Sequence, residues 1–562
     1  MKKNCTITLL FVLFSFKLAT AQCSPPVASA DLDISNVRAR LLTSGSMWWD
    51  TTGARYEVPK GTGKTSIFAG GLWIAGIDPG GQLRTACMTN GQGGNDFWPG
   101  PDGTLANCIA YDRIWKLNKP DVVNFVNTGT TTVQDIIDYP GNSPGSNVPL
   151  APYFDNNGDG IYNYLDGDYP YFNLGTGSPD CCDILHGDQC LWWVINDVGN
   201  VHTVTNSPPI GLEIRCQAYA FDSAHTQTIN STFYQYTMIN RSGAAYSHCY
   251  FGQWVDADLG FYLDDYIGCD VEKGVGYCYN GDWMDNLPDG YGATPPAIGV
   301  DILHGPFADP GDGIDNDRNG IIDEPGEDVT LSKLVSYANN NDPIIGAPIY
   351  ASHYYSYLKG FWKNGGPMTY GGNGYNPLST NYCNFMCPNA TDPQYFSTLG
   401  PWTEEIAGNI VDDRILLNSA GEFTLLPGAV HCITIGVVWA RADSGDNRAS
   451  IPLMLTADSI IQLIFDSCFT DFSTNVNQLA EGTVSGIAPN PFSDKTIIHF
   501  NNPAGENFSF KLFDINGALI KNILNIKKNF LIVERENLKS GMYIFKLSGE
   551  SGKVSSGKLM VE

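Results

Sequence analysis

The sequence is short of basic side chains, of charge in general, of helical pattern and of long apolar runs. Lys and Arg number 32 against 59 Asp and Glu. Residues 22–484 hold 19 basic and 52 acidic side chains, a net of −33. That excludes nucleic acid and anionic lipid as partners on electrostatic grounds. It favours a soluble surface that attracts cations, Ca²⁺ above all. The apolar run Ile7–Phe16 is too short to span a bilayer, and no later run is long enough, so no transmembrane segment is expected. Hydrolase signatures are missing: there is no H-E-x-x-H and no G-x-S-x-G. There is no C-x-x-C, which excludes thioredoxin-type redox chemistry. The histidines do not fall at ligand spacing with one another. Pro59–Thr65 (PKGTGKT) mimics a phosphate loop, but Val58 stands where the first Gly is needed, so a turn is expected.

What is present points outside the cell. Met1-Lys2-Lys3, the apolar run and Ala19-Thr20-Ala21 predict a signal peptide over 1–21, cleaved after Ala21. Cys23 follows Gln22, where lipidation needs a small residue, so a lipid anchor is not expected. Of 15 Cys, Cys5 lies in the signal peptide, and the even remainder in an exported chain predicts disulfides. Cys269–Cys278 could staple a hairpin, Cys383–Cys387 could close a short loop, and the neighbours Cys181 and Cys182 should take different partners; the full pairing of 14 Cys does not follow from sequence.

The texture from Asp31 onward is β-rich. Thr65–Ile77 reads as a buried strand whose Gly pair marks a bulge or a close backbone approach. Glu213–Tyr219, Phe233–Ile239 and His431–Ala440 read as further strands, and Ser450–Phe465 as the best helix. The string DILHG occurs at 183–187 and 301–305 with unrelated flanks and reads as coincidence. Trp48, Trp49, Trp192, Trp193, Tyr354, Tyr355 and Tyr357 include neighbours that point to opposite faces of a strand. They either fill two packed layers or line a sugar-binding face. The fold class is all-β: a multi-domain β-sandwich body with long loops and few helices, then a small C-terminal immunoglobulin-like sandwich.

Two loops carry the chemistry. A calcium loop needs oxygens at positions 1, 3, 5, 7, 9 and 12 and Gly at 6. Asp155, Asn157, Asp159, the Ile161 carbonyl, Asn163 and Asp166 fill them, with Gly160 at the turn. Pro152 and Pro170 argue against flanking helices, and the loop looks like the free-standing loops of thrombospondin type 3 repeats. Asp315, Asp317, Asn319, the Ile321 carbonyl and Asp323 repeat positions 1 to 9, with Gly320 at 6. Glu324, Glu327 or Asp328 would have to close that shell. Asp256, Asp258, Asp264, Asp265 and Asp270 are crowded without loop spacing and read as a solvated turn. Glu404-Glu405 is the one candidate for a glycosidase carboxylate.

The last stretch sets the address. Phe508, Phe510 and Leu512 share one strand face, Asn516-Gly517 is a hairpin turn, and about seven short strands are expected. The order Ala488-Pro-Asn-Pro-Phe492, FDINGALIK, LKSGMYIFKL and terminal GKLMVE resembles the type A C-terminal sorting domain of the type IX secretion system. GNDFWPGPDG (94–103), WVDADLGFYLDDYIGCD (254–270), PPAIGVDILHGP (295–306), YGGNGY (370–375) and FTLLPGAVHCITIGVVWARA (423–442) resemble a family of exported proteins with the same sorting domain and no established activity. The resemblance implies a chain of signal peptide (1–21), β-rich body (22–470), linker (471–487) and sorting domain (488–562). It implies the type IX machinery as partner and the outer-membrane surface or extracellular space as destination. The expected role is structural or adhesive binding, calcium-stabilised, with surface glycans as candidate ligands. The alternative is a secreted hydrolase acting on polysaccharide or protein.

Overall fold

A computed structural model describes residues 22–90, 94–172, 181–318, 320–469, 484–488, 490, 492–500, 502, 505–513, 519–535, 538–539, 541–549 and 554–561. The expected signal peptide, most of the expected linker and the Asn516-Gly517 turn lie outside them. The chain divides into two compact units, one within 1–469 and one within 470–562.

The body is built on two antiparallel sheets. The first runs Lys333–Ala338, Arg414–Leu425, Tyr246–Asp256, Ala69–Ile77, Ser46–Met47, Arg38–Leu42, Tyr56–Glu57 and Thr65–Ile67. The second runs Trp98–Pro99, Gln189–Asn196, Leu212–Ala220, Ser231–Asn240, Val430–Ala440, Ala297–His304, Val275–Asn280 and Asp265–Asp270. Period-2 alternation decides which side chains enter the core between them. In Leu212–Ala220, Ile214, Cys216 and Ala218 join the core, while Glu213, Arg215 and Gln217 take the other face. Polar tips are satisfied across the sandwich: Trp48 Nε1 donates to the Tyr234 hydroxyl at 2.8 Å, and Tyr56 Oη lies 3.0 Å from Thr232 Oγ1.

The Gly pair in Ala69–Ile77 is a close approach. A Cβ on Gly70 would stand 2.2 Å from the Trp48 ring, and one on Gly71 would stand 2.3 Å from the Met88 carbonyl. The adjacent tryptophans fill two layers. Trp193 sits in the central core, while Trp192 packs outside the sheet against Trp115, with ring centroids 5.8 Å apart. Trp48, Trp49, Tyr354 and Tyr357 are also buried, which removes them from any sugar-binding face. The helix Ile451–Asp466 buries Met454, Ile461 and Ile464 and covers the Ala297–His304 and Val430–Ala440 strands. The two DILHG strings differ in conformation: 301–304 is strand, whereas 181–183 is a 3-10 turn that leads into 184–187.

Disulfides link Cys23 to Cys108, Cys181 to Cys468 and Cys182 to Cys432. Cys181 and Cys182 thus take different partners, and Cys23 is occupied by a bridge. The two short-range pairs expected from sequence do not form. On their hairpin Cys269 opposes Gly276 and Cys278 opposes Ile267, so the thiols are a diagonal pair rather than a facing one. Cys383 and Cys387 are separately buried, and the Cys387 carbonyl accepts from Cys269 N at 3.1 Å. Eight buried thiols remain. Burial pushes Cys249 and Cys383 up to about 12, which keeps them from being thiolates at neutral pH. Alkylation of the native protein should therefore be slow. Unfolding without reductant should expose eight reactive thiols, and prior reduction should expose fourteen, counted by mass spectrometry. A count near zero after unfolding would mean that a fuller disulfide framework exists.

The tail unit forms a three-stranded sheet (Val484–Ala488, Lys495–Phe500, Phe530–Glu534) and a four-stranded one (Leu519–Ile526, Phe508–Phe513, Gly541–Gly549, Val554–Val561). Ile498, Phe500 and Val533 from the first meet Phe508, Phe510, Leu512 and Phe545 from the second in one core.

Candidate metal centre

The first loop hangs from a two-stranded ribbon. Tyr153–Phe154 pairs with Tyr169–Pro170 and draws the loop's ends together without flanking helices. Within it, carboxylates and amides fold back on the backbone. Asp155 accepts from Gly158 N through Oδ1 and from Gly160 N through Oδ2, both at 2.7 Å. Asn157 Oδ1 accepts from Asp159 N at 3.0 Å, Asp159 Oδ1 from Ile161 N at 2.8 Å, and Asn163 Oδ1 from Leu165 N at 3.1 Å. Asn163 Nδ2 donates to Asp166 Oδ2 at 2.7 Å. Gly160 holds φ +77°, the left-handed turn that position 6 requires. Asp168, beyond the twelve positions, is the anchor that loop spacing does not reveal. It is fully buried and accepts from Asn156 N at 2.9 Å and Asn163 N at 2.8 Å.

The second loop repeats the key contact. Asp315 Oδ2 accepts from Gly320 N at 3.0 Å, position 1 to position 6, as Asp155 does from Gly160. Here three carboxylates converge: one oxygen each from Asp315, Asp317 and Glu327 lies within 4.8 Å of the others. Glu327 is buried, and Asp315 Oδ1 is buried without a hydrogen-bond partner. Of the three closing residues open from sequence, Glu327 is the one brought to the loop; Asp328 instead accepts from Gly305 N at 2.5 Å. Asp323, at φ +59°, accepts from Gly313 N at 3.2 Å and is directed there. Asn319 lies outside the described residues. Ile161 and Ile321 hold their side chains in solvent.

The crowded aspartates near 256–270 are not a solvated turn. Asp256, Asp264, Asp265 and Asp270 are all buried, because Asp265–Asp270 is a strand and the segment before it folds inward. Asp264 Oδ2 accepts from Asn286 Nδ2 at 2.9 Å, yet burial, then the charge of Asp285, pushes its carboxyl up to about 7. Asp285 accepts from Phe261 N at 3.1 Å and Tyr291 N at 2.6 Å, and burial pushes it up to about 6.

The other chemical candidates are structural. Glu404 is buried, ion-paired to Arg414 at 2.9 Å, and accepts from Asn409 Nδ2 at 3.0 Å. The phosphate-loop mimic turns its amides inward: Gly61 N and Gly63 N donate to Glu57 Oε1 at 3.0 and 2.6 Å. His186 Nε2 lies 2.7 Å from the Cys181 carbonyl, and His304 Nδ1 lies 2.8 Å from that of Cys432.

A cleft of about 440 Å³ opens beside the first loop. It is lined by Tyr153, Asp155 and Gly160 at the loop and by Trp192, Arg215 and Gln217 of the second sheet.

Residues 486–562 match the secretion system C-terminal sorting domain family. The tail is a type IX sorting domain. It directs export to the cell surface or the extracellular space, and it implies contact with the type IX machinery. No helix among the described residues is long and apolar enough to cross a membrane. No curated protein matches the chain. Among solved structures, a DUF3244 family protein with an immunoglobulin-like β-sandwich fold from Bacteroides vulgatus is 11% identical. That match covers 13% of this chain and 78% of the other, at a TM-score of 0.12. A polysaccharide lyase is 9% identical over 62% of this chain and 34% of its own length, at a TM-score of 0.18.

Proposed function

We propose that the protein is a calcium-stabilised extracellular protein of structural or adhesive binding type, with a ligand cleft built against its first calcium loop. What supports calcium is the shared contact of position 1 with position 6 in two loops distant in sequence, together with the Asp315, Asp317 and Glu327 convergence in the second. The observation that carries the binding role is the cleft. The half-buried ring of Tyr153 beside the polar groups of Arg215, Gln217 and Asp155 suits a sugar, which stacks on a ring and hydrogen-bonds at its rim. Glu404, held in an ion pair with Arg414, is not free to serve as a glycosidase acid, which weighs against the hydrolase alternative.

The test is a glycan array probed with the full mature chain. Binding is expected in millimolar Ca²⁺, lost in chelator, and weakened about tenfold or more by Arg215→Ala, the effect of an interface anchor worth over 1 kcal/mol. Arrays that stay blank, with soluble fragments released from polysaccharide instead, would put the hydrolase in its place.

A further inference from the structure

Two strands of the first sheet end side by side at three carboxylates that the calcium loops do not use. Asp256 closes the Tyr246–Asp256 strand and opposes Ile415 across the ladder. Asp258 follows two residues later, and Asp413 stands just before the neighbouring Arg414–Leu425 strand. Backbone pairing fixes the meeting: Ala257 N donates to the Arg414 carbonyl at 3.3 Å, and Phe68 N donates to the Asp256 carbonyl at 2.8 Å. One carboxylate oxygen each from Asp256, Asp258 and Asp413 lies within 4.8 Å of the other two.

The group is electrically incomplete. Asp256 is 4% exposed and its Oδ1 is buried without a hydrogen-bond partner; Asp413 Oδ1 is orphaned in the same way. A buried acceptor left unpaired costs its full desolvation penalty, more when it is charged, so such atoms call for a partner. Among the described residues no basic side chain forms an ion pair with any of the three. Arg414, next in sequence, directs its guanidinium to Glu404 at 2.9 Å and to the Ile410 carbonyl at 2.6 Å. Burial, then the charges of Asp258 and Asp413, pushes the Asp256 carboxyl well above the ordinary range, and burial with Asp413 pushes Asp258 up to about 7.

We propose that Asp256, Asp258 and Asp413 bind a hard divalent cation, Ca²⁺, that clasps the ends of these two strands. The donor set is all oxygen, which suits Ca²⁺ rather than zinc or copper. The ion supplies the partner that the orphaned oxygens lack and cancels the repulsion among three negative groups. Asp258 and Asp413 are only half-buried, which leaves the ion a path from solvent. The site arises from strand pairing, so it stands or falls independently of the two loops.

Equilibrium dialysis of the full mature chain against Ca²⁺ at neutral pH tests it. A chain carrying Asp155→Ala and Asp315→Ala, which disable the loops, should still hold one ion, and adding Asp258→Asn and Asp413→Asn should remove it. In chelator the added substitutions should raise the melting temperature by about 1 to 3 °C, because two of three repelling charges are gone, and Ca²⁺ should raise it no further. Unchanged ion binding, or an unchanged Ca²⁺ increment in melting, would overturn the proposal and leave a cluster that shares protons instead. Should the fourfold variant fail to fold, Asp258→Asn alone in the otherwise native chain carries the same test, with one ion lost from the total.

Discussion

Cells producing the chain without residues 486–562 should keep a folded body in the periplasm and display none of it outside. Among the described residues, the main core cluster of the body draws on Leu32 to Trp439, and that of the tail on Phe492 to Val561. Cutting the tail away therefore removes none of these body residues and leaves the three disulfides in place. The tail, conversely, has a buried cluster of its own residues, centred on Phe508, Phe510, Phe545 and Leu547. The effect on export is all or none, because the sorting domain is the address. Fractionation with protease accessibility on intact cells reads it directly. A truncated chain that is still cleaved by external protease would show that the body carries a second export signal.

The strands are legible from sequence where one face is apolar. Leu212–Ala220 and Ser231–Asn240 extend the expected runs by a residue or two at each end, Val430–Ala440 extends its run by one residue at the start, and the helix Ile451–Asp466 lies one residue from its expected bounds. The tail is legible for a further reason: its alternation, turn residues and motif order agree with one another. Thiol pairing is not legible, because it depends on register. Cys269 and Cys278 lie on one hairpin but two rungs out of step, while Cys181 finds Cys468 from 287 residues away. Burial of charge is likewise hidden. Asp256, Asp264 and Asp265 look like a surface turn by composition, and only the pairing of Tyr246–Asp256 with Arg414–Leu425 carries Asp413 to Asp256. In the calcium-type loops, local spacing gives positions 1 to 6, which depend on neighbours in the chain. The residue that closes the second loop, Glu327, depends on how the chain returns after Gly320, and three acidic residues in reach leave that choice open.

Chelation should lower the melting temperature of the body and leave the sorting domain unchanged. The proposed loops bring carboxylates together, most closely at Asp315, Asp317 and Glu327, and repulsion there opposes folding unless a cation intervenes. Extracellular calcium modules bind at roughly 10⁻⁴ to 10⁻³ M, so free Ca²⁺ at about 10 to 100 times Kd stabilises by about 1.4 to 2.7 kcal/mol per site. Two loops then contribute about 3 to 5 kcal/mol, a sizeable part of the stability of a typical domain. With an unfolding entropy of about 2 cal/mol/K per residue, a body of this size shifts by only about 1 °C per kcal/mol, so the two loops' part of the drop is about 3 to 5 °C. Asp315→Ala should abolish about half of that part, because it removes both the orphaned oxygen and the contact that sets Gly320 in its turn. Asp159→Ala should abolish the share of the first loop. Mg²⁺ should restore little, since it demands octahedral geometry and gives up its waters reluctantly. The measurement is differential scanning calorimetry of the full mature chain in millimolar Ca²⁺ and in excess chelator, with the two units followed as separate transitions. Superimposable body transitions would mean that the hydrogen bonds from Asp155 to Gly160 and from Asp315 to Gly320 hold these turns on their own, with no ion required.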